Sequence, residues 1–131
     1  MRINVSPLIN EKLTLKYKTG LFSGKKLTIR VIGRVDDMVA AYDKAQKMLQ
    51  NAEDLVKKDA SELNTQKYGN AVMALFTVCF GEEGAQKIVE FFEGRYIEML
   101  AEVYPFIQEK ILPKLNNPYK EAIERAKRMK K

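Results

Sequence analysis

Residues 35–56 read VDDMVAAYDKAQKMLQNAEDLV, and the reading of this stretch decides the fold class. Val35, Met38, Tyr42, Ala45, Leu49, Ala52 and Val56 recur at alternating steps of three and four, the spacing of one face of an α-helix. Val39, Met48 and Leu55 widen that stripe, and Asp36 or Asp37 is placed to cap its start. The pattern predicts a helix of roughly 20 residues, ending near Asp59-Ala60-Ser61. Its stripe can serve a coiled-coil dimer or a bundle within one chain. About three heptads is the shortest run that supports a coiled coil, so the bundle is the preferred reading.

Downstream the chain stays helical in period. A second helix runs from about Asn64 to Cys79 and is apolar nearly all round after Ala71, which places it at the centre of the core. Gly81 and Gly84 punctuate, with Glu82 and Glu83 at the positive end of a third helix that turns Ile88, Val89, Phe91 and Phe92 inward and stops at Gly94. A fourth carries Tyr96, Met99, Leu100 and Val103 to Tyr104, where Pro105 is expected to break or kink it. Phe106, Ile107, Ile111 and Leu112 form a further apolar face up to Pro113. Asn117-Pro118 then opens a basic segment to Lys131 that reads as a helix or a tail.

Upstream the period is two. Leu13, Leu15 and Tyr17 alternate with Thr14, Lys16 and Lys18, and Leu27, Ile29 and Val31 alternate with Thr28, Arg30 and Ile32. Residues 19–24 supply a turn with two glycines, and residues 2–5 are a candidate third strand. The expected fold is α+β and mainly α, an N-terminal antiparallel β-hairpin packed on a bundle of four to five helices. It forms one domain over 1–131, with a hairpin region at 1–33, a helical core at 34–115 and a basic C-terminal helix or tail at 116–131.

With 46% hydrophobic and 31% charged residues, the chain has the composition of a globular protein able to bury a core. Its longest apolar run, Ala71 to Phe80, is half the length a membrane span needs, about 20 residues, and the first residues lack the pattern of a signal peptide. The lone cysteine, Cys79, fits a reducing compartment, so a cytoplasmic location and no membrane association are expected. The net charge of +6 is unevenly spread. Residues 1–33 carry seven Lys/Arg against one Glu, residues 34–109 eight against fourteen Asp/Glu, and residues 110–131 eight against two. Basic ends flank an acidic middle, so the ends can seek an acidic partner or the middle of another copy.

Catalytic chemistry finds little to use. There is no histidine, which removes the commonest general base and neutral metal ligand. Cys79 sits between Val78 and Phe80 on the most apolar helix, where a thiol is inert. Glu98 and Glu102 share a helix face, yet glutamates so spaced usually form a solvated surface. Gly20 to Lys26 has one residue too few between its glycines, and Lys26 where Ser/Thr is needed, for a phosphate-binding loop, and Gly81-Glu82-Glu83-Gly84 puts negative charge where an anion would sit. No enzyme, cofactor or metal is expected. The basic hairpin (Lys12, Lys16, Lys18, Lys25, Lys26, Arg30) and tail (Arg125, Lys127, Arg128, Lys130, Lys131) make nucleic-acid binding the runner-up function.

The stretch from Val78 to Leu100, VCFGEEGAQKIVEFFEGRYIEML, followed by Tyr104-Pro105-Phe106-Ile107, resembles phage and prophage proteins of Gram-positive bacteria, in particular small tail proteins of the tail assembly chaperone type. The resemblance spans residues 34–112 and rests on pattern and size more than on a fixed motif. It implies a non-enzymatic assembly protein that coats a tape-measure protein, recruits the tail-tube protein and leaves the finished tail. It adds self-association as a further expectation. Candidate contact residues are Leu21 and Phe22 at the hairpin tip, Lys25 and Lys26 beside it, and Arg125, Lys127 and Arg128 in the tail. For tip and tail alike, the competing readings are a local apolar cluster and a solubilising terminus.

Overall fold

Alternating apolar and polar side chains fold the N-terminal third as a ribbon with one face on the core. The computed structural model describes residues 8–16, 25–116 and 126–127. Within them β1 (Leu8–Lys16) pairs antiparallel with β2 (Lys26–Arg34), Leu13 opposite Ile29 and Leu15 opposite Leu27. Ile9, Leu13, Leu15, Ile29 and Val31 are buried, while Lys12, Thr14, Lys16, Thr28 and Arg30 face out. The first strand begins at Leu8, earlier than its alternation is obvious, because Ile9 supplies one more buried position. The candidate strand at 2–5, Tyr17 and the turn at 19–24 lie outside the described residues.

The chain is mainly helical with this antiparallel hairpin at its N-terminal side, an α+β fold. Helix α1 (Val35–Lys58) leaves β2 directly. Its buried residues are Val35, Met38, Tyr42, Ala45, Leu49 and Ala52, the stripe expected from their spacing. That stripe packs on α2 (Glu62–Phe91) of the same chain, so it is not available to a coiled-coil partner. Met48 and Leu55, at the stripe's margin, stay exposed. The expected cap is corrected. Arg34 holds the N-cap position with no side-chain hydrogen bond, and Asp36 and Asp37 fall in the first turn, where their charge meets the helix dipole.

The turn between the two helices is held by side chains. Ser61 Oγ accepts from the Asn64 N–H at 3.1 Å, capping α2 two residues before its expected start. Asn64 Nδ2 donates to the carbonyls of Asp59 at 2.8 Å and Leu55 at 3.3 Å, satisfying the end of α1 from the start of α2. The expected second and third helices are one element with a break at Gly81, whose φ of 78° and ψ of 168° suit glycine. Before the break Ala71, Val72, Leu75, Phe76, Cys79 and Phe80 are buried. After it Gly84 brings α2 against Ile29 of β2. Gly94 N–H bonds to the Val89 carbonyl at 2.9 Å beyond the helix end, as the glycine there suggested.

Pro105 does not end the next helix. Helix α3 (Tyr96–Phe106) runs through it into a wider π-helical turn, Ile107–Ile111, and helix resumes to Asn116. Two features allow this. The carbonyl that Pro105 cannot satisfy belongs to Ala101, an exposed position open to water. The buried residues Met99, Val103, Ile107, Ile111 and Leu115 repeat every four positions, and an α-helix drifts by about 40° at each such step. Leu112 N–H bonds to the Ile107 carbonyl, five residues back, and this wider turn recovers part of the drift and keeps the stripe on the core.

Lys114, beyond the π turn, pairs with Glu11 on the half-buried inner side of β1 and so ties the ribbon to the C-terminal helix. The Lys114 hydrogen bond holds the Glu11 carboxyl below its ordinary range, opposed in part by desolvation and aided by the charges of Lys114 and Lys110. A carboxyl depressed in the folded state adds stability above its unfolded value, about 4.3, and that stability is lost as pH falls through the folded value. Glu11→Gln should therefore flatten the acid limb of a plot of unfolding free energy against pH and leave its slope near neutrality unchanged. In the core, Phe76→Ala should cost about 3–5 kcal/mol in denaturant unfolding, whereas Met48→Ala should stay within about 0.5 kcal/mol.

Candidate functional site

Two surfaces stand out once the helices are placed. The first is a groove between α1 and α3. These helices lie antiparallel, with Glu53, Val56 and Lys57 beside Arg95, Tyr96 and Ile97 at one end and Gln46, Leu49 and Gln50 beside Leu100, Tyr104 and Pro105 at the other. Tyr68 of α2 forms part of the floor at both ends, and the wider end encloses about 970 Å³. Tyr104 donates to Gln46 Oε1 at 3.2 Å across the narrower end. Beneath it Tyr42 is buried, and burial, with Tyr104 and Cys79 nearby, pushes its hydroxyl well above the ordinary tyrosine range. Desolvation, and then the charge of Glu53, raises Tyr68 as well. Tyr42 and Tyr68 therefore stay protonated near neutral pH.

Ile97 is the most exposed large apolar side chain of this surface, at 77% of its full area. It follows Tyr96, whose ring packs close over Gly69: a Cβ at Gly69 would lie 2.8 Å from Tyr96 Cε2. The near contact seats the start of α3 low on α2 and leaves Ile97 standing above the groove. The rim carries both signs, Glu53 and Glu98 with Lys57 and Arg95. Arg95 Nε lies 3.5 Å from Glu98 and donates to the Phe92 carbonyl at 2.9 Å.

The second surface is the outer face of the ribbon. The register sets Lys12 opposite Arg30 and Lys16 opposite Lys26, with Thr14 opposite Thr28 between them. Arg34 continues the row, and all of these side chains are exposed. Arg30 Nη1 donates to Asn10 Oδ1 at 2.7 Å, which orients the guanidinium along the face. The carboxylate of β1, Glu11, points to the other side.

The sequence-derived contact residues divide between described and undescribed positions. Lys25 and Lys26 sit at the start of β2, both exposed, and Lys25 Nζ lies 5.4 Å from the centre of the Phe91 ring, a cation–π contact. Lys127 is exposed on helical backbone beside Ala126. Leu21, Phe22, Arg125 and Arg128 lie outside the described residues. Ile97 and Arg34 were not singled out in advance. Ile97 follows the buried stripe on the wrong side, about 200° from Met99 at 100° per residue, and that offset is visible in the sequence.

Glu98 and Glu102 are exposed and, with Glu109, line a second groove shared with Lys12, Lys16 and Lys110. Among the described residues no group of three or more carboxylates or cysteines is placed to hold a metal ion, and no helix is long and apolar enough to cross a membrane. Cys79 is buried, and burial pushes its thiol up to about 12, so it stays protonated near neutral pH. The native protein should accordingly react with a thiol reagent such as DTNB at least about a hundredfold more slowly than the urea-unfolded chain, followed by absorbance. Comparison with protein-family models, with curated proteins and with solved structures finds no match to this chain.

Proposed function

We propose that this chain is a non-enzymatic assembly protein that acts by reversible binding, of the phage tail assembly chaperone type. In this reading the α1–α3 groove takes an amphipathic helical segment of the tape-measure protein. The observation that carries it is the groove itself: an apolar trough with Ile97 raised on one wall, Tyr68 on its floor, and charged residues of both signs on its rim. Between Tyr96 and Pro105 the wall is about 14 Å long at 1.5 Å per residue, enough for two to three turns of a bound helix. Helix-in-groove recognition uses apolar residues at steps of three and four, the pattern that such a trough accepts. A rim with Glu53 and Lys57 on α1 and Arg95 and Glu98 at the start of α3 carries both signs on each wall and favours a partner with both charges beside its apolar face. The likeness of residues 34–112 to tail assembly chaperones supplies the tape-measure and tail-tube proteins as the partners to try.

The test is co-expression with candidate tape-measure and tail-tube proteins from the same genome, followed by size-exclusion chromatography with light scattering. Co-elution with the tape-measure protein is the expected result. Ile97→Asp should weaken that complex by about tenfold or more, because it sets a charge in the centre of the apolar contact. Its melting temperature should stay at the wild-type value, since the side chain is exposed in the free protein. Absence of a complex with either protein, or a complex indifferent to Ile97→Asp, would remove this reading.

A further inference from the structure

We infer that the outer face of the β1–β2 ribbon is a docking surface for the phosphate backbone of duplex DNA, seated across the major groove. This surface is separate from the α1–α3 groove and does not depend on what that groove binds. The register makes the case. Like charges placed directly opposite on paired strands repel, yet the ribbon sets Lys12 against Arg30 and Lys16 against Lys26 on one face, with Arg34 continuing the row. A hairpin with freedom to choose would interleave carboxylates there, and the outer positions of both strands are instead Asn10, Lys12, Thr14 and Lys16 with Lys26, Thr28, Arg30, Ile32 and Arg34. The apolar inner face, anchored on the helices, keeps these cations in register, and along the edge of β1 Lys12 and Lys16 share a groove with Glu98, Glu102 and Glu109. A polyanion would convert the repulsion into attraction and release its counterions.

Dimensions select the polyanion. Each pair of cations is separated from the next by four residues along the strand, about 13 Å, close to the major-groove width of about 12 Å. A two-stranded ribbon fits that groove, whereas the major groove of A-form RNA is too deep and narrow for it. With Lys12/Arg30 at one backbone and Lys16/Lys26 at the other, the Thr14/Thr28 pair lies over the base edges, where hydroxyls accept or donate without strong sequence preference. Among the described residues of this face Ile32 is the one exposed large apolar side chain, too little to insert into a lipid interface.

The experiment is fluorescence anisotropy of a short labelled DNA duplex with the full chain across about 50–200 mM salt. Engagement of all five cations predicts a slope of log affinity against log salt of about −4.5. Lys12→Gln with Arg30→Gln should reduce that slope by about 2, with a melting temperature equal to or above wild type because the repulsion is gone. Lys16→Gln with Lys26→Gln should do the same, and the control Lys44→Gln with Lys47→Gln on α1 should change neither slope nor affinity. No binding at the lowest salt, equal loss in the control, equal affinity for an RNA duplex, or stronger binding to phosphatidylserine vesicles than to DNA would each overturn the assignment.

Discussion

The constraint on which the rest of the structure depends is that the middle of α2 has no polar face. From Ala71 to Phe80, Ala71, Val72, Leu75, Phe76, Cys79 and Phe80 are buried, and Met73 and Val78 are partly covered by the same core. A helix apolar all round has to be enclosed on every side, so its neighbours are dictated as much by its need as by their own patterns. Helix α1 covers one flank, the ribbon a second, and α3 with its π-helical continuation a third. The rings of Phe76, Phe80 and Phe106 link these layers at centroid distances of 5.7 and 6.1 Å. In this arrangement the ribbon is stable because its inner face is part of the jacket of α2. A two-stranded hairpin alone is marginal in water.

The same demand shapes the C-terminal half. To stay against α2 over four turns, α3 and its continuation keep Met99, Val103, Ile107, Ile111 and Leu115 in line, and the backbone widens into a π turn to allow it. Closing the flank opposite the ribbon also creates the groove. Tyr96 settles onto Gly69, α3 approaches α1 near Tyr104 and Gln46, and the helices diverge around Ile97. The groove is thus a by-product of how α2 is enclosed, and its walls are rigid helices, which suits a surface that binds and releases without refolding.

On the ribbon, packing and charge pull apart. The inner face is decided by burial, with Glu11 there neutralised by Lys114. The outer face carries cations in register, with Arg30 bonded across the pair to Asn10 and Lys12 and Lys16 bordering Glu98, Glu102 and Glu109. Two surfaces of different chemistry therefore lie on different layers of one small protein: an apolar trough on the helical layer and a cationic plane on the sheet.

The sequence by itself determined which segments are strand or helix and which side each one buries, though not how many helices they make: four to five were expected and, among the described residues, three form, the last continued by a π turn. Periods of two and of three to four are set by backbone geometry, so Leu13, Leu15, Ile29 and Val31 on the strands, and Val35 through Ala52 on α1, could be assigned without knowing their neighbours. The glycine breaks at Gly81 and Gly94 were legible for the same local reason. What the tertiary structure decided was everything set by contact between elements. Pro105 was expected to break or kink a helix; the helix continues through it into a π turn, because burial of residues on both sides outweighs one lost hydrogen bond at a solvent-facing carbonyl. The cap at Arg34, the pairing of Glu11 with Lys114, and the alignment of Lys12 with Arg30 depend on register and packing that no local pattern encodes. Ile97 was visible as an apolar residue off the buried stripe, but that it crowns a groove follows from where α1 lies, which only the folded chain fixes.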